Sequence, residues 1–175
     1  MGLWLNIIHQ YYYIMKTLPI AIAFGFFGAV AVTVSFSLQW PTWVMFVAWV
    51  SFYIFGKKIE TSLWALLQIV LGMMMAILIQ VSAGGLQQLI GGLGFPVAVF
   101  LYIGSLAYFA GTKKLNNIPA WFLGLIILFG AHPPLEPLPV LNLLIPILAG
   151  FLFAWLNNKV VDMIHERQTS KSTVQ

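Results

Sequence analysis

The side chains that could do chemistry are few, and nearly all are neutral. Ser51, Tyr53, Gln68, Ser105 and Tyr108 lie within or at the edges of long apolar runs, alongside Thr33, Ser35, Gln80, Tyr102 and Asn142. Hydroxyls and amides can bond a passing neutral solute, but they bring no fixed charge. Gln68 is the most informative of them. A primary amide in the middle of an apolar run is too costly to leave facing lipid, so it must face protein or a wet cavity. Trp64, Gln68 and Gly72 share one helical face. Two readings stay open: a hydrogen bond between helices, or a solute contact. Ser51, Tyr53, Gln68, Ser105 and Tyr108 form the candidate solute path.

His132 and Glu136, four positions apart in a segment rich in proline, form a candidate outer mouth or a plain loop pair. An imidazole and a carboxylate are metal-ligand types, but two ligands fall short of a site. Met73, Met74 and Met75 face three directions on a helix and cannot offer three sulfurs to one soft ion. His9 and His165 lie in polar segments and are expected to be solvated. With no cysteine there is no disulfide, thiolate site or cysteine nucleophile. No nucleophile–base pairing, zinc-type His-Glu spacing or phosphate-cradling loop appears. The expectation is a protein that is not an enzyme and takes no cofactor, metal or nucleic acid.

What positions these residues is set by composition. Of 175 residues, 61% are hydrophobic and 7% charged, and the mean hydropathy is +0.96. A water-soluble globule of this size needs a solvated surface that so few charges cannot supply, so the bilayer is the expected solvent. No Asp, Glu, Lys, Arg or His falls inside a proposed span, which argues against a proton-coupled pump or a voltage sensor.

Residues 1–16 read as an interfacial amphipathic helix, with Trp4 and Tyr11–Tyr13 suited to the headgroup zone. A secretory signal is the poorer alternative, because the apolar run from Thr17 to Leu38 is too long for a signal core. Residues 17–157 read as a six-span transmembrane domain. Its spans are Thr17–Leu38, Thr42–Phe55, Ser62–Val81, Phe95–Ala110, Ile118–Gly130 and Val140–Leu156, the last kinked at Pro146. Ala21, Gly25, Gly28 and Ala29 give the first span a small-residue face suited to a second copy. Thr61 or Ser62 is expected to cap the third span. Ser82–Gly94, with five glycines, reads as a loop or a re-entrant segment. Residues 158–175 read as a cytoplasmic tail, disordered from Gln168.

Six passes place Lys16, Lys57, Lys58, Lys113, Lys114, Lys159, Arg167 and Lys171 on one side. By the positive-inside rule that side is the cytoplasm, with both termini in it. This basic face suits anionic lipid. Tyr53 and Tyr108, Gly56 and Gly111, and Lys58 and Lys113 each lie 55 residues apart. That spacing suggests a parallel internal repeat of a two-helix hairpin.

The pattern Trp43, Phe46, Trp49, Ser51, Phe52, Tyr53, Gly56, with Ile118–Gly124 and Phe129–Ala131, resembles a family of short bacterial inner-membrane proteins. That family is catalogued as a domain of unknown function, number one thousand and ninety-seven. The resemblance spans roughly Leu18 to Asn157 and implies a multispan protein of the inner (plasma) membrane. It carries no established activity to transfer. Two functions remain: a channel or transporter for a small uncharged or weakly polar solute, or a non-transporting accessory or regulatory membrane protein.

Overall fold

A computed structural model describes residues 2–173, with side chains described over 14–170. Those residues are helical throughout apart from short turns. The helices are α1 (Gly2–Ser37), α2 (Thr42–Ile54), α3 (Ile59–Ile90), α4 (Gly94–Ala110), α5 (Ile118–Ala131), α6 (Pro137–Asn142) and α7 (Leu144–Thr173).

Three apolar stretches are long enough to cross a membrane: Ile14–Ser37, Ile59–Ala110 and Pro137–Ser170. The second holds two helices, α3 and α4, folded back on each other at a turn of 3-10 helix, Gly91–Leu93. α2 and α5, with 13 and 14 residues, are apolar but short, roughly 20 Å each. Large apolar side chains such as Phe26, Phe36, Leu89 and Phe100 are exposed around the outside. Lipid would cover them.

Several expected boundaries move. No separate helix covers residues 2–16; α1 runs unbroken from Gly2, through Pro19, to Ser37. The side chains of Trp4, His9 and Tyr11–Tyr13 lie outside the described residues. Ser82–Gly94 is not a loop. α3 continues through Gly84 and Gly85 to Ile90 and stops where Gly91 takes φ +60°. Two glycines weaken a helix by only about 1 kcal/mol each, and Ala83 is buried in the core. Ser82 Oγ and Tyr102 Oη are also 2.9 Å apart across the hairpin. The last helix breaks at Leu143, not at Pro146. A proline ring excludes the carbonyl four residues back from a helix; here that residue is Asn142, the end of α6. α7 then runs to Thr173, so residues 168–173 are helical. Thr61 and Ser62 cap no N–H group; both hydroxyls donate to the Lys58 carbonyl.

The turn after α2 depends on Gly56, at φ +111°, followed by Lys57 at φ +59°. A side chain at φ +111° is strained, so glycine is required there.

Packing does not follow the chain order. α2 lies against α7, and α5 lies against α3, while α2 barely touches α3 and α4 barely touches α5. The two-helix hairpins read from the 55-residue spacing are therefore not packing units. The close contacts are made at glycine. A Cβ on Gly124 would lie 2.0 Å from the Ile69 carbonyl oxygen, and one on Gly72 would lie 2.1 Å from that of Trp121. One on Gly150 would lie 2.2 Å from the Met45 carbonyl oxygen. α1 adds to the α2–α7 pair and α4 to the α3–α5 pair.

Candidate functional site

Gln68 is 2% exposed. Its Nε2 donates to the Trp64 carbonyl at 3.0 Å, and its Oε1 accepts from the Asn117 backbone N–H at 2.8 Å. The second bond satisfies one of the N–H groups that the start of α5 leaves without a helical partner. Gln68 thus clips α3 to the turn before α5. A cavity of about 200 Å³ lies beside it, lined also by Thr61, Trp64, Lys113, Lys114 and Asn116. This cavity approaches from the lysine-bearing end of the molecule. Lys114 Nζ stands 5.0 Å from the Trp64 ring centre, within range of a cation–π attraction. Trp121 braces the same turn: its ring stacks on Phe109 at 4.9 Å and its Nε1 donates to the Leu115 carbonyl.

The other four candidate path residues do not join Gln68. Ser51 is buried, but its Oγ donates to Val47 of its own helix. Ser105 does the same to Tyr102. Tyr53 lines a different, apolar hollow with Phe24, Phe46 and Trp49, and Lys57 Nζ lies 5.3 Å from its ring. Tyr108 is 84% exposed on the outside of α4. Of the candidate mouth pair, Glu136 lines a cleft described below, whereas His132 ends α5 in a left-handed conformation at φ +46°.

One buried polar group escaped sequence reasoning. Asn157 is fully buried, donates from Nδ2 to Tyr53 Oη at 2.9 Å, and leaves Oδ1 without a partner. It was readable as the last member of a buried helical series with Ile147, Gly150 and Ala154, had that helix been extended past Leu156. Ser35 and Thr42 form a hydroxyl pair at 2.6 Å across the first turn.

Two clefts open at opposite ends of the gap between α3 and the α6–α7 segment. The first, about 200 Å³, lies between the start of α3 (Ile59, Leu63) and the later part of α7 (Leu152, Trp155). The second, about 350 Å³, lies between Ile77, further along α3, and Pro137, Val140 and Leu141 of α6. Both are lined mainly by apolar side chains. The pairing also shows that α3 and α7 run in opposite directions.

An all-helical protein with helices of membrane-spanning length and composition is the class this architecture defines. Over residues 21–162 the chain matches the model of a family described as protein of unknown function (DUF1097), and it belongs to that family. No curated protein and no solved structure matches it.

Proposed function

We propose that this is a six-span protein of the bacterial inner membrane, both termini in the cytoplasm, that passes a small uncharged or weakly polar solute. The observation that supports this most directly is the pair of clefts at the two ends of the α3–α7 gap. A route between two faces needs a mouth at each. The walls are mainly apolar, with Ser62 in the first cleft and Glu136 in the second, and walls of that kind offset little of an ion's desolvation. Among the described residues, the polar side chains buried in the core, Ser35, Ser51, Gln68 and Asn157, are all neutral.

A second reading, a non-transporting accessory protein, draws on Gln68. Both of its polar ends are occupied by its own chain, as a structural clip requires. The test is flux into proteoliposomes across neutral and weakly polar solutes graded from glycerol to indole. Leu63, 60% exposed in the first cleft, is the plug position. Leu63→Trp is expected to lower flux of the transported solute at unchanged melting temperature. Uptake no faster than in protein-free liposomes for every solute excludes transport and leaves the accessory role.

A further inference from the structure

The two clefts are related to one another. Leu18-Pro19-Ile20-Ala21-Ile22 and Phe95-Pro96-Val97-Ala98-Val99 lie 77 residues apart and match in residue type at every position. The six buried positions of α2 (Val44, Met45, Ala48, Trp49, Ser51, Phe52) each have a buried counterpart 76 residues on in α5, from Ala120 to Leu128. Ile69, Gly72 and Ala76 of α3 recur 78 residues on as Ile147, Gly150 and Ala154, all buried. The unit α1–α2–α3 thus corresponds to α4–α5–α6/α7. The packing obeys the correspondence: α2 sits on the last helix of the second unit, and α5 on the last helix of the first.

The two units are upside down relative to each other. Trp43, at the start of α2, packs on Gly130, at the end of α5. These corresponding helices are therefore antiparallel, as α3 and α7 are. The charges agree. Lys57 and Lys58 correspond to Leu135 and Glu136, Lys113 and Lys114 to Phe36 and Ser37, and Lys16 to Leu93. Each of these lysines matches a residue without positive charge in the other unit, as the positive-inside rule demands of inverted copies. Under the same correspondence Ile59, Leu63 and Trp155 of the first cleft become Pro137, Leu141 and Ile77 of the second.

We infer that the chain is an inverted repeat of a three-helix unit, and that the two clefts are one cleft occurring twice, opened alternately to the two faces. The alternation as a solute route rests on the transport reading above; the repeat and the exchange of its two clefts do not. Inverted units can exchange conformations, so that whatever widens one cleft narrows its counterpart. The solute site then lies on the two-fold axis between the units, beside the α2–α5 contact. Because both mouths are mainly apolar, with Ser62 and Glu136 the polar side chains lining them, the solute is mainly apolar with one or two polar atoms.

The 175-residue sequence contains no cysteine, so single cysteines report cleanly. Lys58→Cys and Glu136→Cys occupy corresponding turns. A membrane-impermeant maleimide on intact cells is expected to label the second and leave the first unlabelled until lysis. Labelling of both from the same face overturns the repeat. For alternation, Leu63→Trp wedges the first cleft while Leu141→Cys reports the second, and Leu141→Trp is read out by Leu63→Cys. Both leucines are more than half exposed, so the fold tolerates these changes, and gel filtration verifies assembly. Each wedge is expected to slow labelling in the opposite cleft severalfold. Unchanged labelling in both overturns alternation even where flux is measured. Coupled labelling without flux of any solute upholds the exchanging repeat and removes the transport reading.

Discussion

Replacing Gly124 by alanine tests the packing on which the whole arrangement depends. The added Cβ would stand 2.0 Å from the Ile69 carbonyl oxygen and 2.7 Å from the Met73 backbone nitrogen. An ordinary carbon–oxygen contact is more than 3 Å, so α5 must move away from α3 by over an ångström. Neither neighbour can yield by rotating a side chain, because both are backbone atoms. Overpacking of this kind costs about 3 kcal/mol, the upper end of its usual range. Removing glycine from a helix returns about 1 kcal/mol. The net loss is about 2 kcal/mol, roughly a thirtyfold fall in the ratio of folded to unfolded protein. Gly104→Ala, within α4, is the control: its Cβ would meet nothing within 4 Å, so it should be neutral or slightly stabilising. Unfolding followed by tryptophan fluorescence in mixed micelles reads both. A Gly124→Ala protein as stable as its Gly104→Ala counterpart would refute the close approach of α3 and α5.

Asn157→Leu should cost little, because it removes a buried oxygen that has no partner, whereas Tyr53 then loses its donor. Combining it with Tyr53→Phe is expected to give a protein at least as stable as either single variant, since a pair removed together leaves nothing unsatisfied; a strictly additive loss in the same unfolding assay would contradict this. A Cβ added to Gly25 or Gly28 would meet nothing within 4 Å among the described residues, which leaves room on the small-residue face of α1 for a second copy. Gly25→Leu with Gly28→Leu should reduce the detergent-corrected mass measured by light scattering to that of a monomer; an unchanged mass, or a monomeric parent protein, removes that face as a contact. Gln68→Leu leaves the Asn117 N–H without an acceptor and should lower stability by about 1–3 kcal/mol. It is therefore not a silent probe of solute passage.

Composition and hydrophobic runs were enough to read an all-helical, lipid-compatible chain, because lipid admits few residue types and tolerates charge only at its edges. The ends of α2, α4 and α5 followed for the same reason, each being bounded by a polar or proline-containing turn. Gln68 was legible as a residue that must be satisfied, since burying an amide has a cost wherever it happens. Its partner was not legible, because Asn117 lies 49 residues away and only packing brings it near. The glycines of Ser82–Gly94 look like a loop in isolation; the hairpin contact with α4 decides that they are helix. The 55-residue spacing matched aromatics and lysines at turns, where several solutions look alike. The three-helix correspondence matches buried positions instead, and burial belongs to the tertiary structure. Local chemistry settled which segments avoid water. Only the pairing of distant helices decided which of them touch, because close backbone approach at Gly72, Gly124 and Gly150 depends on shape that no single segment contains.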